Sequence, residues 1–317
     1  MRRRALLAAL VPLTAGCFSG TRAQSDEPTE TPEPTPTETP EPTPTETPEP
    51  GLSDDQQEAL ERIDAAENLL REAVYIYTGG VSADLLDVSA ETAESEFDDR
   101  SILLKLSDVQ TAVNKAERAA VTDEQVRTVE SLQKMQEFLT QATDLQALLI
   151  EGHEALPEAY EALEDGDEEG AVTSELDEIE RILDETSGRL EGVTGDVDPS
   201  IVEATDAVGK EEFEQKLTQF EHEREVLNEL YDAMSTVQSA RSELDAARAK
   251  ADDGDYYSAE NAADRAAENL DDTVDELDEL DEDLPSRADA FEDPIKDVLT
   301  VARDYASEAD ELHDRYD

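Results

Sequence analysis

The chain has 317 residues, 37% of them hydrophobic, which is enough for one large or two small domains if the core is buried efficiently. Its 84 Asp and Glu residues against 25 Lys and Arg residues give a formal net charge of -59. A potential of that sign repels nucleic acid and anionic lipid surfaces, so nucleic acid is excluded as a partner.

The acidic excess also indicates a saline environment. Repulsion between exposed like charges reaches roughly 10 Å at 0.1 M salt but only roughly 3 Å at 1 M, so high salt favours a compact state of this chain. Arginine outnumbers lysine, 18 to 7. In these respects the chain resembles proteins of extreme halophiles. The alternative, an acidic disordered chain, is disfavoured because the apolar residues after position 52 are regularly spaced.

Residues 1–16 are predicted to be a signal peptide. Three arginines precede a short apolar run that is too short to span a bilayer as a mature helix. Arg3 and Arg4, followed by Ala-Leu-Leu, resemble a twin-arginine export signal. The next segment resembles a lipobox, in which small residues precede a cysteine that receives lipid: Leu13, Thr14, Ala15, Gly16 and Cys17. Together these motifs resemble the leader of a haloarchaeal lipoprotein.

Cys17 is the only cysteine, which excludes an intrachain disulfide and a multi-cysteine metal site. The resemblance implies that Cys17 is lipidated and anchors the mature protein on the extracellular face of the cell membrane. The alternative is a chance cysteine at the end of an ordinary signal peptide. Because one acyl chain binds membranes only marginally, stable anchoring requires two chains or an equivalent diether lipid.

Residues 17–51 are predicted to form a disordered stalk. The unit PTETPEPT repeats from Pro28, Pro36 and Pro44, and the segment holds nine of the fourteen prolines. Proline fixes φ, the glutamates repel one another and apolar side chains are lacking, so we expect an extended spacer reaching roughly 70 Å. Its threonines are candidates for O-linked sugars.

From residue 52 onward, apolar residues recur every three or four positions, which places them on one face of a helix. The fold class is therefore predicted to be all-α, with about seven antiparallel helices in one or more elongated bundles. The stripes begin with Leu60, Ile63, Leu70, Val74 and Tyr77; with Ile102, Leu106, Val109 and Val113; with Val129, Leu132, Met135 and Leu139; with Leu176, Ile179 and Leu183; with Phe213, Leu217, Phe220 and Leu227; with Ala263, Ala266 and Leu270; and with Ile295, Val298 and Ala302.

Several residues predict where these helices begin and end. Gly79 and Gly80 should end the first, and the second should begin near Ser89. Thr122 and Gln125 form a capping-box signature for the third. We expect a break or kink in it near Gly152 or Pro157. The remaining boundaries are a cap and proline at Asp198 and Pro199 opening a short segment to Val208, and starts after Asp255 and Asp293.

The body divides into two predicted bundle regions, residues 52–197 and 198–317. Two similar turns, residues 162–171 and 250–259, each place Gly-Asp between helices and follow a long helical region. They indicate either a duplicated long hairpin or hairpin geometry that arose twice. The heptad-like Leu and Ala spacing is also typical of coiled coils that pair between chains.

Nothing in the sequence predicts an enzyme, a cofactor or a metal. His153, His222 and His313 are far apart and lie among acidic residues, which is typical of solvated side chains. The best calcium-loop register, with Asp165, Asp167 and Glu169 before Gly170, places Leu176 where a bidentate Glu is required. Phosphate loops and nucleophile elbows are lacking.

Besides a pure stalk or spacer role, three functions remain open for such a protein. The first is a lipid-anchored interaction or scaffold module with an unknown protein partner at the cell surface, which predicts an exposed apolar or less acidic groove between helices. The second is a tethered sensory module for a small ligand or cation, which predicts a closed pocket with converging polar groups. The third, an enzyme, has no candidate residue.

Overall fold

The computed structural model describes residues 52–80, 84–164, 169–195, 202, 205 and 207–316, without the side chain of Glu169. They confirm the all-α prediction, and no strand occurs among them. All of them belong to one compact unit. The seven α-helices are α1 (Asp54–Tyr77), α2 (Asp99–Ala119), α3 (Asp123–Glu164), α4 (Glu169–Gly195), α5 (Lys210–Asp252), α6 (Tyr256–Glu282) and α7 (Glu292–Tyr316), with short 3₁₀ helices at Leu85–Asp87 and Asp289–Phe291.

Local sequence sets several helix ends, as predicted. The Gln125 backbone N–H donates to Thr122 Oγ1 at 3.2 Å, and the Gln125 side chain accepts from the Thr122 N–H at 3.3 Å, which completes the capping box of α3. Asp255 caps α6 by accepting from the backbone N–H of Ser258 at 3.3 Å. α1 ends before Gly79 and Gly80, which have φ of 71° and 76°, in the left-handed region that glycine adopts without strain.

The two longest helices, α3 with 42 residues and α5 with 43, form the centre of the bundle. At 1.5 Å per residue each spans about 60 Å. α1 and α2 pack against the first part of α3, α4 packs against both α3 and α5, and α6 and α7 pack against α5. The bundle is therefore elongated, with a short connection between α2 and α3 and a longer one, residues 78–98, between α1 and α2.

One hydrophobic core runs continuously from Ile63 in α1 to Leu312 in α7. The predicted stripes supply most of its residues, and Leu60, 38% exposed at the start of α1, is an exception. Helices on both sides of the predicted boundary at residue 197 contribute to this core. The division into two bundle regions itself stays a prediction.

One predicted boundary is wrong, and a predicted break is absent. α2 begins at Asp99 and not near Ser89, because Asp98 caps it by accepting from the Ser101 N–H at 3.0 Å. Residues 84–98 form the short 3₁₀ helix and turns instead. α3 continues through Gly152 and Pro157 without a break. A Cβ at Gly152 would lie 2.6 Å from Leu227 Cδ2, so this glycine permits close approach of α5 rather than ending the helix.

Other predictions lie outside the described residues. One is the start of the segment predicted at Asp198 and Pro199. Residues 165–168 of the first Gly-Asp turn also lie outside them, so the predicted duplication of the hairpin is not tested. In the second turn, Gly254 has φ of 83°, a left-handed conformation. Among the described helices, none is both long and apolar enough to cross a membrane.

Candidate functional site

The predicted export and lipidation residues lie outside the described part of the chain. These are Arg3, Arg4, Leu13, Thr14, Ala15, Gly16 and Cys17. Their assignment stays a prediction, and so does that of the stalk.

Two of the three histidines, His153 and His222, contact backbone carbonyl groups rather than being solvated, which corrects the sequence interpretation for them. His153 Nε2 lies 2.9 Å from the carbonyl oxygen of Ala290, and its ring packs edge-on against Phe291 at 5.3 Å. His222 Nδ1 lies 2.6 Å from the carbonyl oxygen of Ser286. Both therefore hold the segment before α7 against the long helices. The described residues contain no group of three or more His, Cys, Asp or Glu side chains that could hold a metal.

One surface differs from the rest of this acidic molecule. α2 has four basic and three acidic residues, whereas α6 has one basic and eleven acidic residues. Six of the eight large hydrophobic side chains exposed among the described residues also lie on or beside α1, α2 and the start of α3: Leu52, Leu60, Tyr75, Leu104, Val121 and Val126. This part of the bundle is therefore less acidic and more apolar than the remainder.

A groove of about 560 Å³ runs between α1 and α2, with small and apolar residues such as Ala65, Leu69 and Ala112 in its lining. Arg62 and Lys115 line it and also line an adjacent groove of about 360 Å³, which contains Arg118 and Val121. We call the exposed surfaces of α1 and α2 with these two grooves the α1–α2 face. Lys115 and Arg118 are exposed, and neither forms an ion pair with another described residue. The α2 side of the face therefore presents unpaired basic side chains, whereas its α1 side is acidic, with Asp55, Glu58 and Glu61 in the lining of the two grooves.

A second feature is a buried polar cluster where α1, α3 and α5 meet the loop before α2. Lys216 is completely buried, and its Nζ donates to three oxygens: the Val88 carbonyl at 2.5 Å, Gln146 Oε1 at 2.6 Å and Gln219 Oε1 at 3.0 Å. The same Nζ lies 4.6 Å from the centre of the Phe220 ring. These contacts satisfy all three ammonium donors.

Glu223 is the acidic member of the cluster. Its Oε1 accepts from Gln219 Nε2 at 2.9 Å and from the Ala90 backbone N–H at 3.2 Å. Its Oε2 is buried without a partner in the described structure, as is Nε2 of Gln146. Gln146 Oε1 accepts a further hydrogen bond from the Tyr77 hydroxyl at 3.3 Å.

Burial shifts the pKa values of these groups. Loss of hydration lowers the pKa of Lys216 to about 7, against the attraction of Glu223 and Asp84. Loss of hydration raises the pKa of Glu223 to about 7, while Lys216 and the hydrogen bonds from Gln219 and Ala90 act in the opposite direction. Burial also raises the pKa of Tyr77 well above its ordinary value, so its hydroxyl stays a donor. The cluster therefore contains an amine and a carboxyl group that exchange protons near neutral pH.

Sequence reasoning missed this cluster, although a signal was present. Phe213, Lys216, Phe220, Glu223 and Leu227 alternate at spacings of three and four, which places the two charged residues on the apolar stripe of α5. The predicted stripe listed only the apolar residues of this helix. Comparison of the chain with protein-family models, with curated proteins and with solved structures gave no match. The function must therefore be inferred from these two features of the bundle.

Proposed function

We propose that the protein is a lipid-anchored interaction module at the outer face of the cell membrane, and that its α1–α2 face binds an acidic protein partner. The observation that carries this proposal is the local excess of positive charge on α2 in a chain with a net charge of -59. Lys115 and Arg118 offer charge complementarity to acidic side chains, and the grooves accept small apolar ones.

Leu104 is the apolar residue best placed to test partner binding at the α1–α2 face. It is 70% exposed in α2, so its side chain contributes little to the core of the bundle. Contiguous exposed apolar surface rimmed by polar residues is typical of protein-binding sites. Anchoring is the second part of the proposal and rests on the lipobox resemblance of residues 13–17.

The test is purification from native membranes at molar salt of the wild type, Cys17→Ser, Leu104→Glu and Tyr257→Glu. Tyr257 is 75% exposed in α6 and serves as the matched control for an added carboxylate. We expect wild type and Tyr257→Glu to retain a stoichiometric partner in the membrane fraction. Cys17→Ser should leave the membrane fraction, and Leu104→Glu should stay there without the partner.

The two parts of the proposal fail separately. Retention of the partner by Leu104→Glu would contradict binding at the α1–α2 face. Persistence of Cys17→Ser in the membrane fraction would contradict lipid anchoring through that residue.

A tethered ligand-binding module is the second candidate function. A groove of about 500 Å³ between α3, α4 and residues 94–99 combines apolar residues, Phe97, Ile150 and Ile182, with carboxylates that include Glu94 and Glu154. This combination fits an organic cation with an apolar part. Stabilisation of the chain by such cations in thermal unfolding, reduced by Glu154→Gln at the exposed rim of the groove, is the result that favours this function.

A further inference from the structure

Residues 84–98, which we call the strap, are bound to α5 at two points along their backbone. Oε1 of Glu212 accepts from the Leu85 N–H at 2.8 Å. Further along the strap, the Ala90 N–H donates to Oε1 of Glu223 at 3.2 Å. The two acceptors lie about three helical turns apart on α5, so they face the same side of that helix.

The middle of the strap is bound from the same side of α5. The Val88 carbonyl oxygen accepts from Lys216 Nζ at 2.5 Å and from Gln219 Nε2 at 3.2 Å. Lys216 and Gln219 lie between the two acceptors at spacings of three and four, which places all of them on one helix face. In the described part of the chain, no backbone–backbone hydrogen bond joins the strap to α5. Side chains of α5 therefore supply the hydrogen bonds that hold the strap to that helix.

Hydrogen bonds within the strap are independent of α5. The Ser89 N–H donates to Thr92 Oγ1 and the Thr92 N–H donates to the Ser89 carbonyl oxygen, both at 3.0 Å. The Glu96 N–H donates to the Ala93 carbonyl oxygen at 2.8 Å. Because each side-chain hydrogen bond to α5 contributes only modestly, release of the strap requires less free energy than unfolding of the helices.

The strap also covers the buried polar cluster. Val88 and Ala90 contribute backbone groups to the cluster, and the Phe97 ring packs edge-on against Tyr77 with centroids 5.2 Å apart. Beneath these residues the side chain of Glu223 is completely buried. Separation of the strap from α5 therefore admits water to the cluster.

The ionised form of Glu223 is unfavourable under the closed strap. Its Oε2 is buried without a hydrogen-bond donor in the described structure, so a carboxylate there is poorly compensated. Loss of hydration accordingly raises the pKa of Glu223 to about 7. Water hydrates the carboxylate once the strap is open, so ionisation of Glu223 favours the open state.

We propose that the strap opens from α5 as one unit while the described helices stay folded, and that the charge state of Glu223 sets how often it opens. Opening exposes Leu85, Val88 and Phe97 together with the side of α5 that they cover. The strap is therefore a pH-dependent cover over apolar surface and over the buried polar cluster.

The direction of the pH effect follows from proton release. Between about pH 4.5 and pH 7 the closed state holds a proton on Glu223 that the open state releases, so opening increases as pH rises. Burial also raises the pKa of Glu212, which acts in the same direction. Lys216 opposes opening only as it loses its proton near pH 7. The remaining groups around the cluster are the Tyr77 hydroxyl, which stays protonated, and the Asp84 carboxylate, which attracts Lys216.

The test is hydrogen–deuterium exchange of the full chain at molar salt, read by mass spectrometry of peptides from the strap and from the centre of α3. After correction for intrinsic exchange rates, we expect the strap to exchange faster than α3 at every pH. Its opening constant should rise at least about tenfold between about pH 5 and about pH 7, since one pKa unit is a factor of ten. Low urea should accelerate exchange of α3 much more than that of the strap, because strap opening exposes little surface. Equal protection and an equal urea response in the two regions would mean that the strap opens only when the whole chain unfolds, and would overturn the proposal.

Two variants test the part assigned to Glu223. Glu223→Gln keeps the shape of the side chain and an oxygen that can accept from the Ala90 N–H, and Glu225→Gln makes the same change at an exposed position on α5. We expect Glu225→Gln to show the wild-type pH dependence of strap exchange and Glu223→Gln to lose most of it. Circular dichroism verifies that both variants are helical. A wild-type rise with pH in Glu223→Gln, or exchange of the wild-type strap that does not change with pH, would contradict control by this carboxyl group.

Discussion

At the residue scale, the buried carboxyl group of Glu223 makes the stability of the fold depend on pH. Burial raises its pKa from 4.5 to about 7 in the folded chain. The folded state therefore binds a proton between about pH 4.5 and pH 7 that the unfolded state has released. The other titratable groups of the cluster are Tyr77, which stays protonated across this range, and Lys216, which with a pKa of about 7 begins to lose its proton only at the upper end.

The stability of the wild type relative to Glu223→Gln should fall as pH rises from 4.5 to 7. A raised carboxyl pKa contributes stability that is fully present below the unfolded pKa and is lost as pH rises through the folded pKa. The difference between their free energies of unfolding should change by up to about 3 kcal/mol, since one pKa unit corresponds to about 1.4 kcal/mol. Urea unfolding at fixed molar salt measures it, with Glu225→Gln as the control. Parallel curves for wild type and Glu223→Gln would contradict the buried titration.

Spacing in the sequence was sufficient to place Lys216 and Glu223 on the buried stripe, but not to find their partners. Val88, Ala90 and Gln146 lie 70 to 133 positions away, and two of them contribute only backbone groups. Such contacts depend on how three helices and a loop pack together. The periodicity of one helix carries no information on that packing.

At the scale of elements, long apolar stripes predicted the helices well, and residues 84–98 show where the method fails. Leu85, Val88, Ala90 and Phe97 are buried there without helical spacing. The segment is held by α5, because the Leu85 N–H donates to Glu212 Oε1 at 2.8 Å. A segment whose conformation is set by a distant helix cannot be predicted from its own pattern.

Gly152 and Gly188 should respond to alanine in opposite directions. Alanine at Gly152 places a Cβ 2.6 Å from Leu227 Cδ2 and 3.2 Å from Ile182 Cγ2, so α3 must separate from α5 and α4. Overpacking of this kind costs about 1–3 kcal/mol, more than the about 1 kcal/mol that alanine contributes to helix propensity. Gly188 in α4 has no such neighbour, so alanine there should stabilise by about 1 kcal/mol.

Thermal unfolding of both variants at the same salt concentration checks this prediction. Gly152→Ala should lower the midpoint and Gly188→Ala should raise it. A rise for both would mean that Gly152 is not a contact between α3 and α5, and that the absence of a break in α3 has another cause.

At the scale of the whole molecule, charge is distributed unevenly over one continuous core. α6, with eleven acidic residues and one basic residue, contrasts with α2, which has one more basic residue than acidic ones. Ion pairs such as Arg303 with Asp278 compensate few of the carboxylates and are exposed, so each contributes little. The remaining repulsion between carboxylates must be screened by dissolved salt for the bundle to be stable.

The melting temperature should therefore rise steeply with KCl between about 0.1 M and about 1 M and more slowly above that. Over this range the reach of repulsion between exposed charges falls from about 10 Å to about 3 Å, so added salt beyond it has little repulsion left to screen. Circular dichroism of the mature chain in a KCl series measures the effect. Sucrose at matched osmolality is the control, because it favours burial by exclusion from the surface without screening charge. An equal rise in sucrose would assign the stabilisation to exclusion, and a melting temperature independent of KCl would mean that carboxylate repulsion does not limit this fold.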